Sequence, residues 1–183
     1  MLNCNDIITR FYTPGTPLYD VLTIHSQQVA DLAATICDRL IAHGTPVDAD
    51  FVYEAAMLHD IGIVKVDAPA IHCAGTEPYI RHGIAGRQML DSLALYRHAL
   101  VCERHTGAGL TLNDIVSQNL PLPHRDLTPQ SLEEKIVCYA DKFFSKTHLG
   151  EPARDLDRVR RSLARFGDDS LERFDALHAL LAI

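Results

Sequence analysis

Apolar residues recur every three or four positions along most of this chain, and no segment alternates at a spacing of two. That period calls for amphipathic helices packed on one another and leaves no convincing strand, so the expected fold is all-α, a compact multi-helix bundle. The clearest case is "TPLYDVLTIHSQQVADLAATICDRLIAHG". Thr16 is placed to cap, Pro17 suits the first helical position, and Gly44 closes the end. Leu18, Val21, Leu22, His25, Val29, Leu32, Ile36 and Leu40 form the stripe, which turns His25 toward the interior. A second helix is expected over 48–60, with Gly62 supplying a left-handed turn after it. A loop over 64–76 leads to a third helix carrying Tyr79, Ile80 and Ile84, and a fourth is expected over 93–104. The glycines of "RHTGAGLT" imply irregular backbone, and 117–127 reads as loop. Thr128 and Pro129 open a helix through "QSLEEKIVCYADKFFSK", acidic early and basic late as the macrodipole favours. Two further amphipathic helices follow, on Leu156, Val159, Leu163 and Phe166, then on Leu171, Phe174, Leu177, Leu180 and Leu181.

At 183 residues, 47% of them apolar and 22% charged, the chain suits one domain over 1–183. Its core is expected over about 18–148, with the C-terminal helices of about 152–183 packed on it. A formal charge of −7 disfavours a large basic surface for nucleic acid. The five cysteines contain no CxxC pair, which argues against a disulfide framework or a thiolate zinc site and reads as small core residues. The start lacks a secretory pattern, and no apolar run approaches the ~18 residues of a membrane span, so a cytoplasmic location is expected.

Chemistry is to be sought among ten histidines. His43, His98, His124, His148 and His178 sit in polar, loop or terminal contexts and read as solvated or packing residues; His72 lies in a loop and fits either reading. His25 differs because it lies on an apolar stripe, although a lone histidine there is ordinarily a satisfied core residue. Asp141, in "CYADKFF", interrupts an apolar face, and a carboxylate taken out of water requires a compensating partner. "LHDIG" places His59 beside Asp60 at a helix terminus.

Taken in order, His25, the His59–Asp60 doublet and Asp141 resemble the HD superfamily, and "HDIG" resembles its HDIG subgroup. The resemblance covers about residues 18 to 148. It implies that these four residues bind a divalent metal. "YIRHGIAG" adds His82 and "CERHTGAGL" adds His105, a pattern similar to members holding two metals with the doublet's aspartate as bridge. The stretch from "ERHTGAGLT" to "EEKIVCYADK" is similar to small stand-alone HDIG proteins of archaea and bacteria, described as predicted phosphohydrolases. Relatives acting on cyclic-di-GMP carry "HDIGK" and "GYP"; here Ile63 follows the glycine and "GLT" stands near the triplet's place, which argues against that substrate.

The resemblance therefore implies hydrolysis of a small, nucleotide-like phosphomonoester or phosphodiester by metal-activated water. Asp60 would be central to catalysis. Lys65, Arg81, Arg104 and Lys142 are candidates for phosphate contacts or leaving-group protonation, against solvated surface charge as the ordinary alternative. The nitrogen- and oxygen-rich ligand set suits iron or manganese, with zinc or nickel acceptable. Two alternatives stand beside this: a di-iron oxygenase of the HD type, and a non-catalytic nucleotide-binding regulatory module. Selectivity is expected in the loops at 63–78 and 106–127. No sequence feature sets an oligomeric state.

Overall fold

A computed structural model describes residues 2–182. Its elements are α1 (Cys4–Ile8), α2 (Pro17–Ala42), α3 (Ala49–Leu58), α4 (His82–Asp91), α5 (Tyr96–Arg104), α6 (Leu112–Ser117), α7 (Leu132–Asp141), α8 (Leu156–Leu163) and α9 (Asp168–Leu181). The all-α expectation holds, with one small exception: Asp67–Ala68 (β1) and Cys73–Ala74 (β2) pair antiparallel inside the expected loop. Among the described residues no helix is long and apolar enough to cross a membrane.

The long helix α2 starts where its sequence says it should. The Thr16 side chain accepts from the Tyr19 amide at 3.3 Å, Pro17 occupies the first turn, and Gly44 follows the end at φ +82°. Its stripe is buried as the period requires: Leu22, Val29 and Ile36 are each at most 3% exposed, worth about 1.5–3 kcal/mol apiece for full burial. Val29 and Ile36 join α3, α7 and the C-terminal Phe174, Leu177 and Leu181 in one apolar cluster. A second cluster gathers α1, the start of α2 and the segment Ile61–Val66. All five cysteines are free and buried.

Several local expectations are corrected. Gly62 does not take a left-handed conformation. After α3 the chain continues through a 3-10 turn, Ile61–Lys65, and Gly62 serves close approach instead. A Cβ there would lie 2.1 Å from the His82 carbonyl oxygen and 2.3 Å from the Gly86 nitrogen, so the missing side chain lets α4 seat directly on the turn. Helix α6 falls between the glycine stretch read as irregular and the loop over 117–127, where no helix was expected. Its signal was present: Thr111 and Asp114 form a reciprocal capping box. Helix α7 begins after Ser131, not at Thr128, because Leu127 is paired through both backbone groups with Leu110 (3.1 and 2.7 Å). Finally, Phe166 is 65% exposed instead of core-facing; α8 ends at Leu163, and a 3-10 turn before Gly167 (φ +107°) swings the ring outward.

Candidate metal centre

Five helices deliver the buried polar residues to one place. His25 comes from the middle of α2, His59 and Asp60 from the end of α3, His82 from the first turn of α4, His105 from the end of α5, and Asp141 from the last position of α7. All six are at most 8% exposed. Gly62 and Gly83 make the convergence possible, since a Cβ on Gly83 would lie 2.5 Å from the Cys102 carbonyl oxygen on α5. His25, His59, Asp60 and Asp141 offer ligand atoms within 4.8 Å of one another, and so do Asp60, His82 and His105.

Three imidazoles are held in one tautomer. Nδ1 of His59, His82 and His105 lies 2.6, 2.8 and 2.8 Å from the carbonyl oxygens of Ala56, Tyr79 and Cys102, each three residues earlier. A carbonyl oxygen only accepts, so each Nδ1 carries a proton, and each ring when neutral turns an Nε2 lone pair inward. The Nε2 atoms of His82 and His105 are 3.1 Å apart, two lone pairs face to face unless a cation stands between them.

Asp60 lies at the junction. Its Oδ2 is 3.2 Å from Nε2 of both His25 and His59, while its Oδ1 is 3.5 and 3.4 Å from Nε2 of His82 and His105. Each oxygen thus faces its own pair of imidazoles. Asp141 Oδ1 completes the first group at 3.0 Å from His25 and 3.5 Å from His59. Among the described residues neither Asp60 oxygen has a hydrogen-bond partner, nor has His59 Nε2. A fully buried carboxylate without hydrogen bonds is costly, and a divalent ion on each side would satisfy these atoms. The residues present fit such ions.

Electrostatics point the same way. Burial depresses His82 to about 3, with His105 and Lys146 adding to it against Asp60, and burial also depresses His105; both rings are neutral, as ligands must be. Burial pulls His59 down too, yet Asp60 and Asp141 lift it to about 9. The carboxylates call for positive charge at that spot. Burial alone would raise both carboxyls. Lys146 and His59 hold Asp60, and Lys142 and Lys146 hold Asp141, well below the usual carboxylate range.

The centre opens into a cavity of about 630 Å³ whose walls include His82, His105, Asp141, Lys142 and Lys146. Parts of the segments expected to line it do so, among them Ala70, Ile71, Leu110 and Leu120. The strand-free stretch after α7 and the helices α8 and α9 supply the remainder, through Phe144, Arg154, Leu163 and Phe166. The sequence reading missed that wall and missed Lys146, whose Nζ is 2.6 Å from Asp60 Oδ2. Lys146 stands five residues past Asp141, beyond the helix, where no periodicity points it inward. Two candidates are not brought to the centre. Lys65 is exposed. Arg104 forks onto Glu134 at 3.0 and 3.1 Å, and neither residue lines the cavity. Arg81 is held by Glu77 and by the Pro121 carbonyl oxygen, both at 2.6 Å.

The HD domain model matches residues 22–145, which hold every residue of this cluster. The chain belongs to the HD-domain family. It is 35% identical over 131 residues to a tRNA (cytidine(56)-2'-O)-methyltransferase of Picrophilus torridus, covering 71% of this chain and 33% of that protein. A tRNA (cytidine(56)-2'-O)-methyltransferase of Thermoplasma volcanium is 30% identical over 164 residues, 89% of this chain and 42% of that protein. An uncharacterized protein of Methanocaldococcus jannaschii is 33% identical over 124 residues, 67% of this chain and 66% of its own length. The chain thus spans a third to two thirds of the curated relatives it matches. No solved structure matches it.

Proposed function

We propose that this HD domain is a metal-dependent phosphohydrolase acting on a small, nucleotide-like phosphate ester, with His25, His59, Asp60, His82, His105 and Asp141 holding two divalent ions. The observation that carries the reading is Asp60, whose two oxygens face separate pairs of imidazoles at 3.2–3.5 Å. When bound, the ions would supply an acidified water and Lewis-acid polarisation of the phosphoryl oxygens. The chain's own residues do the rest. Carbonyl-anchored imidazoles present fixed lone pairs, Asp60 sets the spacing between the two halves, and Lys142 steadies Asp141 at 2.7 Å. The adjoining cavity of about 630 Å³ suits a nucleotide-sized ester.

The methyl transfer named in two relatives belongs to proteins of which more than half lies outside the matched stretch. Moving a methyl group to a hydroxyl calls for no pair of metal sites, so the buried cluster supports hydrolysis better.

A panel of phosphomonoesters and phosphodiesters, tested on protein loaded separately with manganese, iron, nickel and zinc, is the direct test. Turnover with at least one metal, lost together with metal content in Asp60→Ala, is expected. Oxygen uptake by the iron form without ester hydrolysis would transfer the site to oxygenase chemistry. Tight nucleotide binding with no product released from any metal form would make it a regulatory module.

A further inference from the structure

The cations around the centre do different jobs, and one of them, Lys146, meets Asp60 itself. Lys142 Nζ bridges Asp141 Oδ2 (2.7 Å) and the His105 carbonyl oxygen (3.1 Å), tying the end of α7 to the end of α5. Arg173 is paired with Asp114 at 2.7 Å, while Arg81 and Arg104 are engaged as described. Lys146 is different. Its side chain is 12% exposed and lines the cavity, and its Nζ meets Asp60 Oδ2 at 2.6 Å without hydrogen-bond alignment. An ammonium has three donors, and a group entering the cavity toward Asp60 meets them. A carboxylate oxygen carries two lone pairs, so this contact is compatible with a metal bond on the same atom.

Lys146 is also held in place from outside. It lies on the strap between α7 and α8, and Gln28 on α2 grips that strap from both sides of its amide. Gln28 donates to the Glu151 carbonyl oxygen at 2.8 Å and accepts from the Gly150 amide at 3.4 Å. Gln28 stands one turn beyond His25, so the helix that carries a proposed ligand also positions the strap.

We propose that Lys146 grips the phosphoryl group of the substrate and of the product orthophosphate, while Lys142 is a positioning residue for the metal ligands and Gln28 positions Lys146. This rests on the phosphohydrolase reading but is tested apart from it, by binding without turnover. The probe is orthophosphate, titrated calorimetrically into metal-loaded protein and its variants, each checked for metal content and for thermal unfolding. Lys146→Ala should keep its metal and bind orthophosphate about 10- to 100-fold more weakly, the range for one charge-assisted hydrogen bond. Lys146→Arg should recover most of that loss, and Gln28→Ala should fall between. Lys142→Ala should instead lose metal. For any ester hydrolysed, Lys146→Ala should raise KM more than it lowers kcat. Unchanged orthophosphate affinity in Lys146→Ala would overturn the assignment, as would a loss of metal matching the loss of phosphate. If no ester is turned over but orthophosphate still binds through Lys146, the hydrolytic reading falls and the anion contact stands.

Discussion

His82 and His105 face each other across 3.1 Å with both Nδ1 protons committed elsewhere, so their shared role is open to a clean experiment. Replacing both by alanine should leave about one metal per chain, because His25, His59, Asp60 and Asp141 remain as a group. Activity should fall by about 10²–10³-fold, the range seen when one fixed stabiliser of transition-state charge is lost. Equal metal content and equal rates in wild type and double variant would exclude a second site. Proton linkage gives a second prediction, for chelated protein. His82 titrates near 3 in the folded chain against an ordinary 6.5, so the unfolded chain binds more protons between those limits. Its stabilisation is complete above 6.5 and is lost as pH falls toward 3. His59 is shifted the other way, to about 9; its stabilisation is complete below 6.5 and is lost as pH rises through 9. These two groups set a stability maximum near pH 6.5. A bound ion takes the place of the His59 proton, so metal-loaded protein should keep its melting temperature between pH 6.5 and 9 where chelated protein loses it. A chelated melting temperature that stays flat over that range would contradict this. His25 and Asp141 were legible because each broke a pattern, a histidine on an apolar stripe and a carboxylate on a buried face, whereas His82 and His105 came only with the HD resemblance. Lys146 broke no pattern.

At the level of elements, the turn Ile61–Lys65 seated against α4 decides whether His82 reaches Asp60. Alanine at Gly62 would place its Cβ 2.1 Å from the His82 carbonyl oxygen, whereas alanine at Gly86 would meet the Cys102 Cβ at 3.2 Å and the Gly62 nitrogen at 3.3 Å. Gly62→Ala should therefore cost at least ~1–3 kcal/mol, the usual range for overpacking, and should reduce the affinity of the His82–His105 half for metal. Gly86→Ala should cost less and leave metal content intact; denaturant melts and elemental analysis of the pair check both. Helix existence was readable from period and caps, as α2 shows. What escaped was set by tertiary pairing. The bridge between Leu110 and Leu127 delays α7, and a short capped helix at 112–117 follows the glycines, too brief to display a period. The role of Gly62 escaped for the same reason, since its constraint comes from a helix that starts twenty residues later.

For the molecule as a whole, apolar spacing put Phe174, Leu177 and Leu181 on one face of the last helix, and in the structure they join the cluster shared by α2, α3 and α7. The outer wall of the cavity was not readable in that way, because α8 is placed by contacts and not by any local signal. The meeting of five helices at one centre has a mechanical consequence. Ions bound there would act as a rivet through segments far apart in the chain, joined by connections such as the largely exposed loop at 117–127, which separates His105 from Asp141. A protease that cuts that loop leaves Asp141 on one piece and the other five ligands on the other, and severs the backbone without loosening the rivet. Nicked, metal-loaded protein should then elute from a sizing column as a single intact particle and separate into two pieces only after chelation and mild denaturant, whereas metal-free protein nicked at the same bond should come apart at a lower denaturant concentration. Co-elution that is indifferent to metal would mean that apolar packing alone holds the halves together.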